Sequence, residues 1–195
     1  MSPRSKEQIE KIRDASISNI LEASLELFAI KGFDSTSISN IAEKAGISKG
    51  LLYNYFSGKD ELLRALIDQL NESETNLMSQ ILDDDPRKTL ENLFSAFFYE
   101  LREHNQQWVF VTKLAVQVDK FDFVRALVTE KYNSYIDLFD QLLNSIGLKN
   151  PKGEALLLAG MLDGIGYQYL MIQDKYPLKE IENYLIQKYC HNEIN

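Results

Sequence analysis

Apolar residues recur at three- and four-residue spacing along almost the whole chain and never settle into sustained alternation, so the pattern predicts helices throughout and no strand. The first run, Ile9, Ile12, Ile17, Ile20, Leu21, Leu27 and Phe28, fits one long helix opened by a Ser5–Gln8 capping box and stopped at Gly32. Its apolar positions are expected to pack behind the segment that follows. That segment, SISNIAEKAGISKGLLYNYF, spans residues 37–56. Ser37 and Ser48 are natural N-caps and Gly46 closes the first of two short helices, the outline of a helix-turn-helix. Ser57 then predicts the cap of a helix from residue 58 or 59 to about Ile81, with Asp60 and Glu61 where the helix dipole favours negative charge.

Beyond it, Asp85 and Pro86 read as N-cap and first position of a helix to about Glu103, carrying Leu90, Leu93, Phe94, Phe97, Phe98 and Leu101. Further helices are expected over about 106–117, over 122–145 until Gly147 and the Asn150-Pro151 break, and over 152–173 and 178–190, parted at Tyr176-Pro177. The fold class is all-α, with about nine helices and no internal repeat.

A helical wheel of the second short helix, at about 100° per residue from Lys49, puts Leu52 and Phe56 on one side. Gly50, Leu51 and Asn54 lie opposite, with Tyr53 and Tyr55 on the flanks. A helix that is apolar behind, small or amide-bearing in front and hydroxylated at its edges suits a DNA major groove. On the wheel alone, an ordinary αα-corner with half-buried tyrosines fits equally well.

Residues 20–63 resemble the DNA-binding domain of the TetR family of bacterial transcriptional regulators. The matching positions are Ala23, Leu27 and Phe28; Gly32-Phe33; Thr36-Ser37; Ile41-Ala42; Ala45-Gly46; Ser48 and Gly50; Leu52-Tyr53; Phe56; and Lys59 with Glu61-Leu62. The resemblance implies a three-helix DNA-binding domain at 1–56, a connecting helix at 57–81 whose tilt is the mechanical output, and a helical ligand-binding and dimerisation domain at 82–195. Gly50, Leu51 and Asn54 would face base edges, with Lys49 reaching a guanine. Thr36, Ser37, Tyr53, Tyr55 and Lys59 would hold phosphates, and Ser48 completes the set as the cap. Tyr55 stands where many members have His, Leu51 where many have Thr or Ser, and Ser24 where Ala is frequent. At Leu51 the physical alternative to a polar contact is a thymine methyl. Arg4 and Lys6 form a small basic arm that could touch phosphate.

A net charge of −8 is unexpected in a DNA binder, but it is unevenly placed. Residues 1–64 hold nine Lys/Arg and nine Asp/Glu, whereas 65–195 hold twelve and twenty, so the acidic body would face away from a polyanion. Cys190 is the only cysteine and the two histidines, His104 and His191, are far apart, which leaves no intrachain disulfide and no ligand-spaced metal set. No phosphate-cradling Gly-rich loop, paired catalytic carboxylates or nucleophile motif is present, so neither an enzyme nor a cofactor is expected. No apolar run approaching a membrane span and no secretion signal are read, and the expected location is the cytoplasm.

Gly153, Gly160, Gly164 and Gly166 burden one predicted helix at about 1 kcal/mol each. Either intrachain packing or the close approach of a second copy would offset that. The resemblance implies the second, a two-fold seam of the last two helices with Leu157, Gly160, Met161, Gly164 and Tyr167 from one and Ile181, Tyr184 and Leu185 from the other. A ligand pocket lined by Phe94, Phe97, Phe98, Trp108, Phe110, Tyr132, Tyr135, Met161, Tyr167, Gln168 and Met171 would suit a hydrophobic or flat effector, with Asp163 or Glu100 available to pair a cation. The reading is a homodimeric repressor of a palindromic operator, released by a small molecule. The alternatives are an architectural or division factor, or an enzyme with an N-terminal targeting domain.

Overall fold

A computed structural model describes residues 5–191, so Arg4 of the basic arm lies outside the described residues. The chain divides into two compact units between residues 75 and 76, within a helix. Among the described residues there are nine α-helices and no strand.

The first unit holds α1 (Lys6–Lys31), α2 (Ile38–Lys44), α3 (Lys49–Tyr53) and most of α4 (Lys59–Ile81). The capping box at Ser5 and Gln8 forms, and a second joins Ser37 to Asn40. Gly32 and Gly46 carry φ of 80° and 67°, which is why both turns need glycine. Burial along α1 begins only at Ile20; Ile9 and Ile12 are 56% and 46% exposed, against expectation. The reason is length. At 1.5 Å per residue, the seven and five residues of α2 and α3 span only about 10 and 8 Å and cannot cover a helix of 26. Ser57 does not cap α4 through its side chain; its hydroxyl and N–H both donate to the Glu61 carboxylate, which is thereby held below its ordinary pKa.

The second unit takes the end of α4, then α5 (Pro86–Glu103), α6 (Asn105–Ala115), α7 (Asp122–Ser145), α8 (Pro151–Ile172) and α9 (Leu178–Ile186), which runs on as a π turn over Gln187–His191. Asp85 caps α5 with Pro86 in the first turn, and Gly147 at φ 88° closes α7. Its core joins Leu90, Phe94, Phe98 and Leu101 of α5 to Phe139 and Leu143 of α7, Leu158 and Ile165 of α8, and Leu185, Tyr189 and Cys190. One pole is stitched by side chains. Asn92 donates to the Ile81 carbonyl, Arg87 to the Tyr189 and Cys190 carbonyls, and the Tyr189 hydroxyl to Glu154, which also receives Lys188.

Contrary to the sequence reading, Pro151–Lys175 is long and apolar enough to cross a membrane by length and composition, since it holds an 18-residue stretch with mean hydropathy 1.4. The physical origin is visible in the helix itself. Ala155, Leu158, Leu162 and Ile165 point into the core, while Leu156, Leu157, Tyr167, Met171 and Ile172 on other faces are exposed, so α8 is apolar on more than one face.

Candidate nucleic-acid interface

α3 is held by its back. Leu52 is fully buried and Phe56 is 6% exposed, as the wheel required, although the helix ends at Tyr53 and not at Phe56. Asn54 closes it in the helical region, and the Tyr55 and Phe56 N–H groups both donate to the Leu52 carbonyl, tightening the last turn. The Asn19 amide donates to the Ala45 carbonyl at 2.7 Å and Lys44 pairs with Glu26 at 2.6 Å, which fixes the α2–α3 turn against α1. With the back and the entry fixed, the front face has one orientation.

That front face is open. Ser48 accepts the Leu51 N–H as cap, and Lys49, Gly50, Leu51 and Asn54 are all exposed. A Cβ built on Gly50 meets no atom within 4 Å, so nothing inside the chain asks for glycine there. Tyr53 is 48% exposed with the Lys49 ammonium 5.9 Å from its ring, while Tyr55 is half-buried. Ser37 is exposed at the start of α2, bonded to Asn40.

Two expected phosphate contacts are otherwise engaged. Thr36 is 1% exposed, and its hydroxyl is shared between the Leu27 and Gly32 carbonyls; the side chain builds the α1–α2 turn and is withdrawn from solvent. Lys59 donates to the Phe33 carbonyl at 2.7 Å and to the Asp34 carbonyl at 3.3 Å, leaving one of its three N–H bonds for an anion.

In the second unit the eleven residues grouped as a pocket differ widely in exposure. Phe94, Phe98 and Phe110 are buried core; Phe97, Trp108, Tyr135 and Met161 are partly buried against that core; and Tyr132, Tyr167, Gln168 and Met171 are exposed. Phe97 stacks edge-on against both Phe98 and Trp108, at 5.2 and 5.4 Å between centroids, so these three rings pack on one another. A cavity of about 470 Å³ opens elsewhere, between Arg102, Tyr169, Gln173, Tyr176 and Lys179, and none of the eleven lines it. Glu100 is taken by His104 at 2.6 Å, and burial raises the Asp163 carboxyl above its usual range.

The proposed seam separates more cleanly. Leu157, Gly160, Gly164 and Tyr167 recur at spacings of three and four along α8, on the side away from Leu158 and Ile165; Met171, which the sequence reading assigned to the pocket, continues that row, and a Cβ at Gly160 or Gly164 meets nothing within 4 Å. A Cβ at Gly153 would collide with the side chain of its own Asn150 cap, whereas one at Gly166 would make ordinary contact with Leu101 and Trp108 at 3.6 Å. On α9, Tyr184 is 66% exposed. Leu185 is withdrawn from the seam because it lies in the chain's own core, and Ile181 and Met161 pack partly against that core.

Comparison with known proteins places the head. Residues 20–66 match the family described as "Bacterial regulatory proteins, tetR family". The HTH-type transcriptional regulator TtgR of Pseudomonas putida is 35% identical over 191 residues, covering 91% of this chain and 89% of that one. The HTH-type transcriptional repressor KstR2 of Mycobacterium tuberculosis is 29% identical over 130 residues, 63% of this chain and 64% of its own. The chain thus spans slightly less than two thirds of that relative, and 31% of another. Among solved structures, FadR from Bacillus subtilis in complex with stearoyl-CoA superposes with a TM-score of 0.69 at 21% identity, over 91% of this chain and 99% of that one, a likeness of fold. With the helix-turn-helix geometry in place and 35% identity carried through nine tenths of both sequences, the chain belongs to the TetR family of bacterial transcriptional regulators.

Proposed function

We propose that the protein is a cytoplasmic, ligand-responsive repressor that binds a palindromic operator as a homodimer, and that it is not an enzyme. The observation that carries this reading is the open front of α3: Gly50, Leu51 and Asn54 exposed together over a buried Leu52 and Phe56. Gly50 lets the backbone approach a base edge, Leu51 offers a methyl-sized contact to thymine, and the Asn54 amide can pair an adenine edge. From the helix start Lys49 can reach a guanine while its charge offsets neighbouring phosphates, and Ser37, Tyr53 and Tyr55 supply the register through phosphates. Two heads related by a two-fold axis read half-sites one helical turn apart, and the unexplained glycines Gly160 and Gly164 support α8 as the element that brings two copies together.

Repression is supported by what KstR2 is named for, and a hydrophobic effector by the stearoyl-CoA bound to FadR. Such a molecule acts only by binding better to the conformer whose heads do not match the operator spacing. The test is selection of bound sequences from a random duplex pool, followed by anisotropy titration of wild type and Asn54→Ala. A palindromic consensus is expected, with a loss of about 1–3 kcal/mol confined to one position of each half-site in the variant. Binding without a consensus, at many unrelated sequences, would instead mark an architectural protein.

A further inference from the structure

The α1–α2 turn, residues 32–37, is gripped from two sides. From within, the buried Thr36 hydroxyl reaches the Leu27 and Gly32 carbonyls, and the Thr36 N–H donates to the Phe33 carbonyl at 3.3 Å. From the first residue of α4, the Lys59 ammonium donates to that same Phe33 carbonyl at 2.7 Å and to the Asp34 carbonyl at 3.3 Å, and it sits 4.5 Å from the centre of the Phe33 ring. Phe33 in turn packs on Phe28 of α1 at 5.3 Å. The turn leads directly into Ser37, the cap of α2, and α2 packs on α3.

We infer that Lys59 is a positioning residue, a clamp through which the N-terminal end of α4 sets the α1–α2 turn and hence the entry of α2 and the aim of α3. This rests on the DNA-binding reading above and goes beyond it, because a lysine that served only as a phosphate contact would have no need of two carbonyls and a ring. The chemistry suits the task. Two carbonyls and an aromatic face all present negative potential to one ammonium, and a four-carbon stem lets α4 move by small amounts while the head stays attached.

The experiment compares Lys59→Met, Lys59→Arg, Phe33→Leu and, as a control for a residue exposed at the front of α3, Lys49→Met. Hydrogen exchange of the Thr36 amide is read without DNA, and operator affinity is read against salt and extrapolated to 1 M, where the counterion-release contribution disappears. If Lys59 is a clamp, Thr36 exchanges at least about tenfold faster in Lys59→Met, and about a tenfold loss of operator affinity persists at 1 M salt, equivalent to roughly 1.4 kcal/mol. Arginine restores both in part. Phe33→Leu accelerates Thr36 exchange with the salt slope unchanged, whereas Lys49→Met lowers the slope by about 0.9 and leaves Thr36 exchange as in wild type. The inference is overturned if Lys59→Met leaves Thr36 exchange unchanged and its affinity deficit vanishes at 1 M salt. Should Lys59→Met not fold, the exchange and slope of Phe33→Leu decide the matter in the same way. Because the exchange readout needs no DNA, a chain that bound no operator would refute the proposed function while leaving this measurement interpretable.

Discussion

Replacing both Gly160 and Gly164 by alanine is expected to stabilise the single chain and loosen its pairing. Each glycine lies inside α8, and each added methyl enters open space in the isolated subunit. Helix propensity then favours alanine by about 0.8–1.0 kcal/mol per site, or roughly 2 kcal/mol for the pair. If the outer stripe of Leu157, Gly160, Gly164, Tyr167 and Met171 meets its own symmetry copy, the same methyls appear on both sides of a close contact. Overpacking of this kind costs about 1–3 kcal/mol, and 2 kcal/mol weakens association about 30-fold. Sedimentation across a dilution series would read the association constant, and chemical denaturation below that constant would read the subunit. The two quantities should move in opposite directions. A double variant that unfolds later and associates as tightly as wild type would refute the argument, and with it the claim that these glycines exist for close approach.

Gly50→Ala follows the same logic in the head: unfolding stability should rise by about 0.5–1 kcal/mol while operator affinity falls, and a rise in both would show that no backbone approaches there. Leu52→Ala should destabilise the head by about 2–5 kcal/mol in a denaturant titration, since the side chain is fully buried; a loss under about 1 kcal/mol would remove it from the core. At the stitched pole, the Tyr189 hydroxyl first, and then Lys188, hold Glu154 below its ordinary value of 4.5. A depressed carboxylate contributes stability above the unfolded pKa and loses it as pH falls through the folded one, so wild type should lose melting temperature on the acid side more steeply than Tyr189→Phe. Equal slopes for the two from about pH 7 to pH 3 would sink this account.

Helix starts and stops were legible because the groups that set them are local in sequence. Ser5 with Gln8, Ser37, Ser48, Asp85 with Pro86, and Gly147 each satisfy a helix end with residues no more than four positions away, and each stands where its pattern put it. The front and back of α3 were legible for the same reason, since Leu52 and the face of Gly50, Leu51 and Asn54 lie within little more than a single turn. Apart from Ser57, whose hydroxyl is drawn to Glu61 four positions on, what failed depended on distant partners. Ile9 and Ile12 have the right spacing but no element long enough to cover them, and Leu185 has the right face but meets the α5 and α8 core first. The same holds for Thr36 and Lys59, whose hydrogen bonds reach back to carbonyls up to 26 positions away. A family motif carries those residues without saying which side of the turn they serve. The aromatic set scattered because a helical pattern counts Phe97, Phe98 and Trp108 as apolar without revealing that they fill one another's space.

The second unit closes its core with Tyr189 and Cys190, whose carbonyls are gripped by Arg87 about a hundred positions earlier. A ribosome therefore finishes the buried residues of the head, through Ile67, long before the body has its last core side chains. At about 5–20 residues per second, the intervening 123 residues take roughly 6–25 s to synthesise. During that interval the nascent polypeptide carries a completed reading head ahead of a body that still lacks its final wall, with the apolar outer stripe of α8 emerging before the turn that seals the inner one. Premature termination after Gly147 would accordingly leave the head with its α3 face and remove α8, Tyr189 and Cys190 from the second unit, and with them the helix proposed to pair two copies.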